Sequence, residues 1–252
     1  MERMSRAASE LTHSTIVYKY PCGAVDIIHS TSGFMEPGWE ANGRAEAPER
    51  RAREAGKTAE GADLERSMRR ARAKLRRLAL ANEFRWFVTL TLDPEKVART
   101  DGKAVAKALS QWADNMVRRK GLKYILVPEL HKKGGIHFHG FFSDNVAAVD
   151  SGHRDHGGHT IYNLPEWTLG FTTAIELYDD YAAAVGYVTK YIGKQGERPM
   201  GRWYYSGGRL AEPTKIYADM ERDEVASCGK AVDFDVPGAK ITVCHTRKEN
   251  LA

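Results

Sequence analysis

Residues 129–140 read Glu-Leu-His-Lys-Lys-Gly-Gly-Ile-His-Phe-His-Gly, and the fold is decided there. Gly134-Gly135 marks a short turn between two strands, Lys123 to Glu129 and Ile136 to Phe142. Strand side chains alternate between faces, so His137 and His139 share one face while Ile136 and Phe138 face the other and can pack under a helix. If the hairpin pairs His131 with Gly135, Glu129 lies directly across from His137, with Cβ atoms about 5 Å apart. Two imidazoles about 7 Å apart at Cα can share one ion. The set His137, His139 and Glu129 suits Mg²⁺ or Mn²⁺ with positions left open for phosphate oxygens. His131, in the turn, is the alternative third ligand. The same pair also fits two half-buried histidines with no ligand.

Outward from this hairpin the pattern is that of a packed domain. Arg85 to Leu92 is β-branched and aromatic, and Asp93-Pro94 ends it, as expected of a strand. Residues 103–119 put Val105, Leu109, Trp112 and Met116 on one side of a helix. Phe171 to Leu177 reads as a strand, and Tyr178 to Ile192 as a helix. Strands and helices in this order, with a hairpin in the middle, predict an α+β fold: a central antiparallel β-sheet with helices packed on one face. His153, His156 and His159 lie in a Gly-rich stretch read as a solvated loop, although their spacing also suits a metal.

The flanks differ. A short strand is expected at residues 15–21, followed by a flexible arm over 33–65, which holds few large apolar side chains. Residues 66–80 read as a basic helix: Arg66, Arg69, Arg70, Arg72, Lys74, Arg76 and Arg77 lie in twelve residues without an acid. Met68, Ala71, Leu75 and Leu78 form its narrow apolar stripe. The cationic face is either solvated surface or a phosphate-binding surface for DNA. The expected division is 1–65 as strand and arm, 66–217 as the chemistry-bearing domain, and 218–252 as a C-terminal extension with one last strand around residues 233–243.

Residues 187–194, Tyr-Val-Thr-Lys-Tyr-Ile-Gly-Lys, place Tyr187 and Tyr191 one helical turn apart, each with a lysine, Lys190 or Lys194, three residues on. A phenol is a poor nucleophile near pH 7, and a neighbouring ammonium stabilises its phenolate. Packing tyrosines with solvated lysines would give the same pattern.

Composition bounds the rest. With 252 residues, 42% hydrophobic and 28% charged, the chain is neither disordered throughout nor fibrous. It has no apolar run of membrane-spanning length and no secretory-type apolar core at its start, so a cytoplasmic, soluble protein with no membrane partner is expected. Three scattered cysteines (Cys22, Cys228, Cys244) fit no disulfide framework. A net charge of +5 permits a nucleic-acid partner. No GxxxxGK[ST] sequence occurs, so neither a nucleotide cofactor nor a fused helicase is expected.

The strand Phe87 to Asp93, His137-Phe138-His139, and Tyr187 to Lys194, in that order with Glu129 between, resemble the HUH endonucleases. The likeness is to the replication initiators of rolling-circle plasmids and phages, the filamentous phage gene II group in particular. It covers about residues 66–217, and Gly201 to Leu210 looks like the later part of phage-type catalytic domains. The resemblance implies an RRM-like palm and a divalent metal ion on His137, His139 and Glu129. It implies a tyrosine (Tyr187 first, Tyr191 second) that nicks single-stranded origin DNA through a 5′-phosphotyrosine, with Lys190 and Lys194 assisting. It also implies a bacterial host that supplies helicase and DNA polymerase. Two other readings stay open: a non-catalytic single-stranded nucleic-acid-binding module, and a transposase of the same chemistry.

Overall fold

The computed structural model describes residues 12–36, 57–131, 134–177, 181–194, 196–236 and 238–251. The chain forms two compact units, one from residues 61–212 and the other from residues 1–60 together with 213–252.

The 61–212 unit is built on seven strands: β3 Trp86–Leu92, β4 Tyr124–Leu130, β5 Ile136–Phe142, β6 Val149–Arg154, β7 Thr160–Asn163, β8 Gly170–Glu176 and β9 Tyr205–Gly207. They form one antiparallel sheet in the order β6-β7-β8-β3-β5-β4-β9. β3 alternates strictly: Trp86, Val88, Leu90 and Leu92 are buried, and Phe87, Thr89 and Thr91 between them are half-buried. The buried set of β3, with Leu126, Phe138 and Phe142, packs under helix α2, Gly102–Lys120, which contributes Val105, Leu109, Trp112, Ala113 and Met116. α2 begins where Asp101 accepts hydrogen bonds from the backbone N–H groups of Lys103 and Ala104, at 2.8 and 3.3 Å. It stops at Gly121, whose φ of 69° is the left-handed cap that glycine adopts without strain.

The opposite face of the same sheet carries the histidines, and the short helix α3, Tyr181–Thr189, lies over it, with the Tyr187 ring against Phe87 and Tyr181 against Phe141. Helices therefore sit on both faces of the sheet, not on one. Beside α3 runs the long basic helix α1, Lys57–Ala81, whose Ala79 carbonyl accepts a hydrogen bond from Tyr181 Oη at 2.7 Å.

Residues 149–163, expected as a loop, form the β6–β7 hairpin, and its Asp155 pairs with His159 at 3.1 Å. His153 lies within β6. The strand residues of β6 are mostly exposed and lack apolar alternation, which is why local pattern missed them.

The other unit joins segments from early and late in the sequence. Its strands are β1 Thr12–Lys19, β2 Ala24–Met35, β10 Thr214–Ala218, β11 Lys230–Val236 and β12 Ala239–Arg247, with helix α4 at Arg222–Ser227. The five strands form an antiparallel sheet of order β10-β1-β2-β12-β11. Val17, Val25, Ile27, Val225 and Cys244 form its core. The arm expected over 33–65 is accordingly shorter: residues 33–35 belong to β2 and 57–65 to α1, and 37–56 lie outside the described residues. The single last strand expected near 233–243 is a hairpin of two. All three cysteines are free thiols. Among the described residues no helix is long and apolar enough to cross a membrane.

At Gly140 of β5 the backbone of β4 lies close against the chain: an added Cβ would stand 1.9 Å from the Ile125 carbonyl oxygen. Backbone cannot yield there as a flexible side chain would. Gly140→Ala should therefore destabilise the protein by about 3 kcal/mol, the upper end for overpacking. Urea denaturation checks this as a lower midpoint at unchanged slope; an unmoved midpoint would contradict the close approach.

Candidate active site

The registers of four strands line up the side chains of the histidine face in cross-strand rows, open toward β8 and buried at Val127, Ile125 and Phe141. One row runs Phe171, Thr91, His137, Glu129 across β8, β3, β5 and β4. The next runs Thr173, Thr89, His139, Val127, and the third Ile175, Phe87, Phe141, Ile125. Glu129 thus stands directly opposite His137, and the turn closes with the His131 N–H donating to the Gly135 carbonyl at 2.8 Å.

Each imidazole is held at Nδ1 by a threonine of β3. Thr91 Oγ1 lies 3.2 Å from His137 Nδ1, and Thr89 Oγ1 lies 3.1 Å from His139 Nδ1. These contacts fix the ring orientations and turn Nε2 outward, the arrangement by which metal-binding histidines are usually steadied. The Thr-Leu-Thr alternation of residues 89–91 carries this signal in the sequence, once β3 is known to pair with β5.

Glu129 bridges the two constellations. Its Oε2 accepts from His139 Nε2 at 2.8 Å, and its Oε1 accepts from Lys194 Nζ at 2.7 Å. Tyr191 stacks on His139 with centroids 4.0 Å apart and planes 15° from parallel. Tyr187 Oη lies 2.7 Å from Tyr191 Oη. Tyr191 lies two residues beyond the end of α3: its N–H bonds to the Val188 carbonyl, three residues back, and the tight turn includes Gly193, φ 75°. Lys190, the expected partner of Tyr187, is exposed, and its side chain makes no ion pair among the described residues.

Burial pushes both imidazole pKa values down. For His137 the positive charges of His131 and Arg99 add to it, and for His139 burial prevails over the Glu129 carboxylate. Both rings are therefore neutral near pH 7, the form that ligates metal. Burial works to raise the Glu129 carboxyl, but the Lys194 hydrogen bond, with the contributions of His139, holds it below the ordinary value. Burial, the Tyr187 hydrogen bond and the nearby Glu129 charge raise Tyr191 well above an ordinary phenol, so it keeps its proton.

Among the described residues no three His, Cys, Asp or Glu side chains already converge on one point as a cation cage. Glu129 and His139 do meet. Their 2.8 Å separation is close to the roughly 3 Å edge between neighbouring ligands of an octahedral ion bound at about 2.1 Å. His137 lies one residue pair along the strand, its ring 5.1 Å from that of His131. The donor set fits a hard divalent ion, with His137 or His131 as the position still to be drawn in.

The basic residues of α1 divide. Arg72 donates from Nε and Nη2 to the Ile192 carbonyl at 3.0 and 2.7 Å, which fastens the turn that presents Tyr191 and Lys194. Arg66 pairs with Asp63 at 3.3 Å, and Arg76 and Arg77 are half-buried. Arg69, Arg70 and Lys74 are exposed. Sequence reading missed Arg99: its side chain packs 3.2 Å from the site of a Cβ on Gly135, its carbonyl accepts from the Ile136 N–H, and its charge is felt at His137.

No curated protein and no solved structure matches the chain. Residues 85–196, from the start of β3 to just past Lys194, match the family model for replication-associated proteins of the ORF2 and gene II protein type. That stretch holds every histidine, carboxylate and tyrosine of the cluster, and its likeness is consistent with a rolling-circle replication initiator of the gene II kind.

Proposed function

We propose that the protein initiates rolling-circle replication by nicking and rejoining single-stranded DNA at an origin through a 5′-phosphotyrosine. The observation that carries this reading is the stacking of a tyrosine pair onto a histidine–glutamate pair, with Tyr191 on His139 and Tyr187 hydrogen-bonded to Tyr191. His139, Glu129 and His137 would hold a divalent ion, which when bound would supply Lewis-acid polarisation of the scissile phosphate.

The chain's own groups do the rest. Tyr187 is the more exposed of the pair, at 50%, and is the nucleophile. Tyr191 keeps its proton and donates to the Tyr187 oxygen, stabilising the phenolate as it forms. The exposed Tyr187 phenol gives its proton to solvent water as its oxygen attacks phosphorus, the bond to the 3′ oxygen breaks, and that oxygen takes a proton from water and leaves as a hydroxyl. Attack by a 3′-hydroxyl on the phosphotyrosine reverses the step without an external energy source. Arg99, beside His137, supplies a cation for the incoming phosphate. Arg69, Arg70 and Lys74 track the backbone. The family likeness supports the replication context, and the host helicase and polymerase belong to the same reading.

Incubation with single-stranded origin oligonucleotides and Mn²⁺ should give an SDS-resistant protein–DNA band that EDTA abolishes. Tyr187→Phe should eliminate it, and His137→Ala or His139→Ala should do so while leaving binding nearly intact. Metal-indifferent binding with no band on any oligonucleotide would favour the non-catalytic binding module.

Thr89→Val and Thr91→Val keep the side-chain shape but remove the oxygen at Nδ1. Each should raise the Mn²⁺ concentration for half-maximal adduct formation by about 10- to 100-fold. An unchanged titration would show that the threonines do not orient ligands.

The division within α1 predicts two separable phenotypes. Replacing Arg69, Arg70 and Lys74 together by Gln should lower the slope of log binding constant against log salt by about 2, at roughly 0.7 per phosphate contact. Arg72→Gln should leave that slope unchanged and slow adduct formation, because it frees the Tyr191 turn. The reverse pattern would return Arg72 to the DNA-binding set.

A further inference from the structure

We infer that Phe171 is a base-stacking platform for the single strand, on the open side of the histidine face. This rests on the proposed nicking of single-stranded DNA and specifies where the strand lies. Phe171 stands in the same cross-strand row as Thr91, His137 and Glu129, two strands from His137. Two inter-strand spacings place it about 10 Å from that histidine, within reach of a base attached next to a phosphate at the histidines.

Phe171 is 68% exposed, whereas Phe87, two rows along the same face, is covered by Tyr187. The difference follows from where the tyrosine turn lies. Tyr191 and Lys194 sit over His139 and Glu129, on the β5–β4 side of the face. On the β8 side Phe171 and Thr173 are the open positions, so a strip of sheet remains accessible along β8 beside the histidines.

A single exposed apolar residue by itself needs no special explanation; what bears on Phe171 is its place beside the histidines and the backbone that carries it. Gly170, just before it, lies so tightly on β3 that a Cβ there would stand 2.1 Å from the Thr91 carbonyl oxygen. Trp167 Nε1 donates to that same carbonyl at 3.2 Å, and the Asp93 N–H donates to the Leu169 carbonyl at 3.0 Å. The ring is therefore carried on anchored backbone and offers a rigid flat apolar surface. A nucleobase is the ligand that matches it: every base has a π-face, so an unselective single strand gains from one fixed aromatic ring without hydrogen-bond readout. Thr173, next on the same face, offers a hydroxyl to the sugar-phosphate beside that base.

The test measures binding of the full-length protein to two fluorescein-labelled probes by anisotropy at one fixed salt concentration. One probe is oligothymidylate; the other is an abasic oligomer of equal length, which keeps the phosphates and lacks the bases. Phe171→Ala should weaken oligothymidylate binding by about 5- to 150-fold, the range for loss of one stacked base, and leave abasic binding unchanged. Phe171→Trp should bind oligothymidylate as well as the unchanged protein or better. Equal losses on both probes, or no loss on oligothymidylate, would overturn the assignment. If the unchanged protein binds oligothymidylate and forms the covalent adduct while Phe171→Ala behaves identically, this inference alone fails. If the unchanged protein binds neither probe, the nicking reading fails and this one with it.

Discussion

Every side chain of the candidate site depends on the register of β5 between β3 and β4. A slip of one residue would carry His137 and His139 to the α2 side and bring Phe138 and Phe142 out to the tyrosines, because the side-chain period is two. Nothing in the site itself enforces the observed register. It is enforced from the other face, where Phe138, Phe142, Leu126, Val88 and Leu90 are all fully buried under α2. Burying each large apolar side chain is worth about 1.5–3 kcal/mol, and a slip would replace several of them by imidazoles without partners. The packed face thus sets positions to which the weaker contacts of the histidine face, Thr91 with His137 and Thr89 with His139, add only orientation.

The tyrosine turn depends on a second constraint. After Thr189 the chain leaves regular helix in tighter turns, where the N–H groups of Lys190, Tyr191 and Ile192 serve the carbonyls of Tyr187, Val188 and Thr189. Arg72 supplies two N–H groups to the Ile192 carbonyl, and Gly193 takes the left-handed conformation that lets the chain turn. A side chain at Gly193 would also meet Met68, with an added Cβ 2.0 Å from its sulfur. Met68 and Arg72 are one turn apart on α1, so one face of the basic helix seats the turn while Arg69, Arg70 and Lys74 look to solvent. The charge run of residues 66–77 is therefore neither uniformly a solvated surface nor uniformly a phosphate surface.

What could be read from sequence follows from how local the determining physics is. β3, β5 and α2 were legible because their own periodicity reflects burial, and the hairpin turn fixed Glu129 opposite His137. The five-stranded sheet was not legible, since it pairs β2 with β12, as in Ile28 with Val243, more than two hundred residues apart. Neither segment reports on a partner so distant. The threonine anchors, Arg99 and the seating role of Arg72 were missed for a related reason. Thr89 and Thr91 read as ordinary β-branched strand residues until β3 is placed beside β5, and Arg72 reads as one arginine among seven basic residues. Phe171 was assigned to a strand, but its exposure emerges only from where the tyrosine turn covers the sheet and where it stops.

In sequence the two tyrosine–lysine pairs are equivalent: Tyr187 with Lys190, and Tyr191 with Lys194, at the same spacing. The fold breaks that equivalence. Lys194 is committed to Glu129 at 2.7 Å, and Tyr191 is half-buried against His139 with its phenol pKa raised. Tyr187 and Lys190 remain exposed. A group that is to attack a phosphate must reach it and shed a proton, and burial beside a carboxylate opposes the second requirement for Tyr191. A group that is to steady the attacker must keep its proton and stay in place, and the same burial serves that role. The ammonium on Glu129 has a parallel consequence. It neutralises a carboxylate that would otherwise repel an incoming phosphate, and a divalent ion bound by Glu129 and His139 would take over that charge and release Lys194. In the proposed chemistry the second tyrosine–lysine pair thus prepares the site, and the first acts in it.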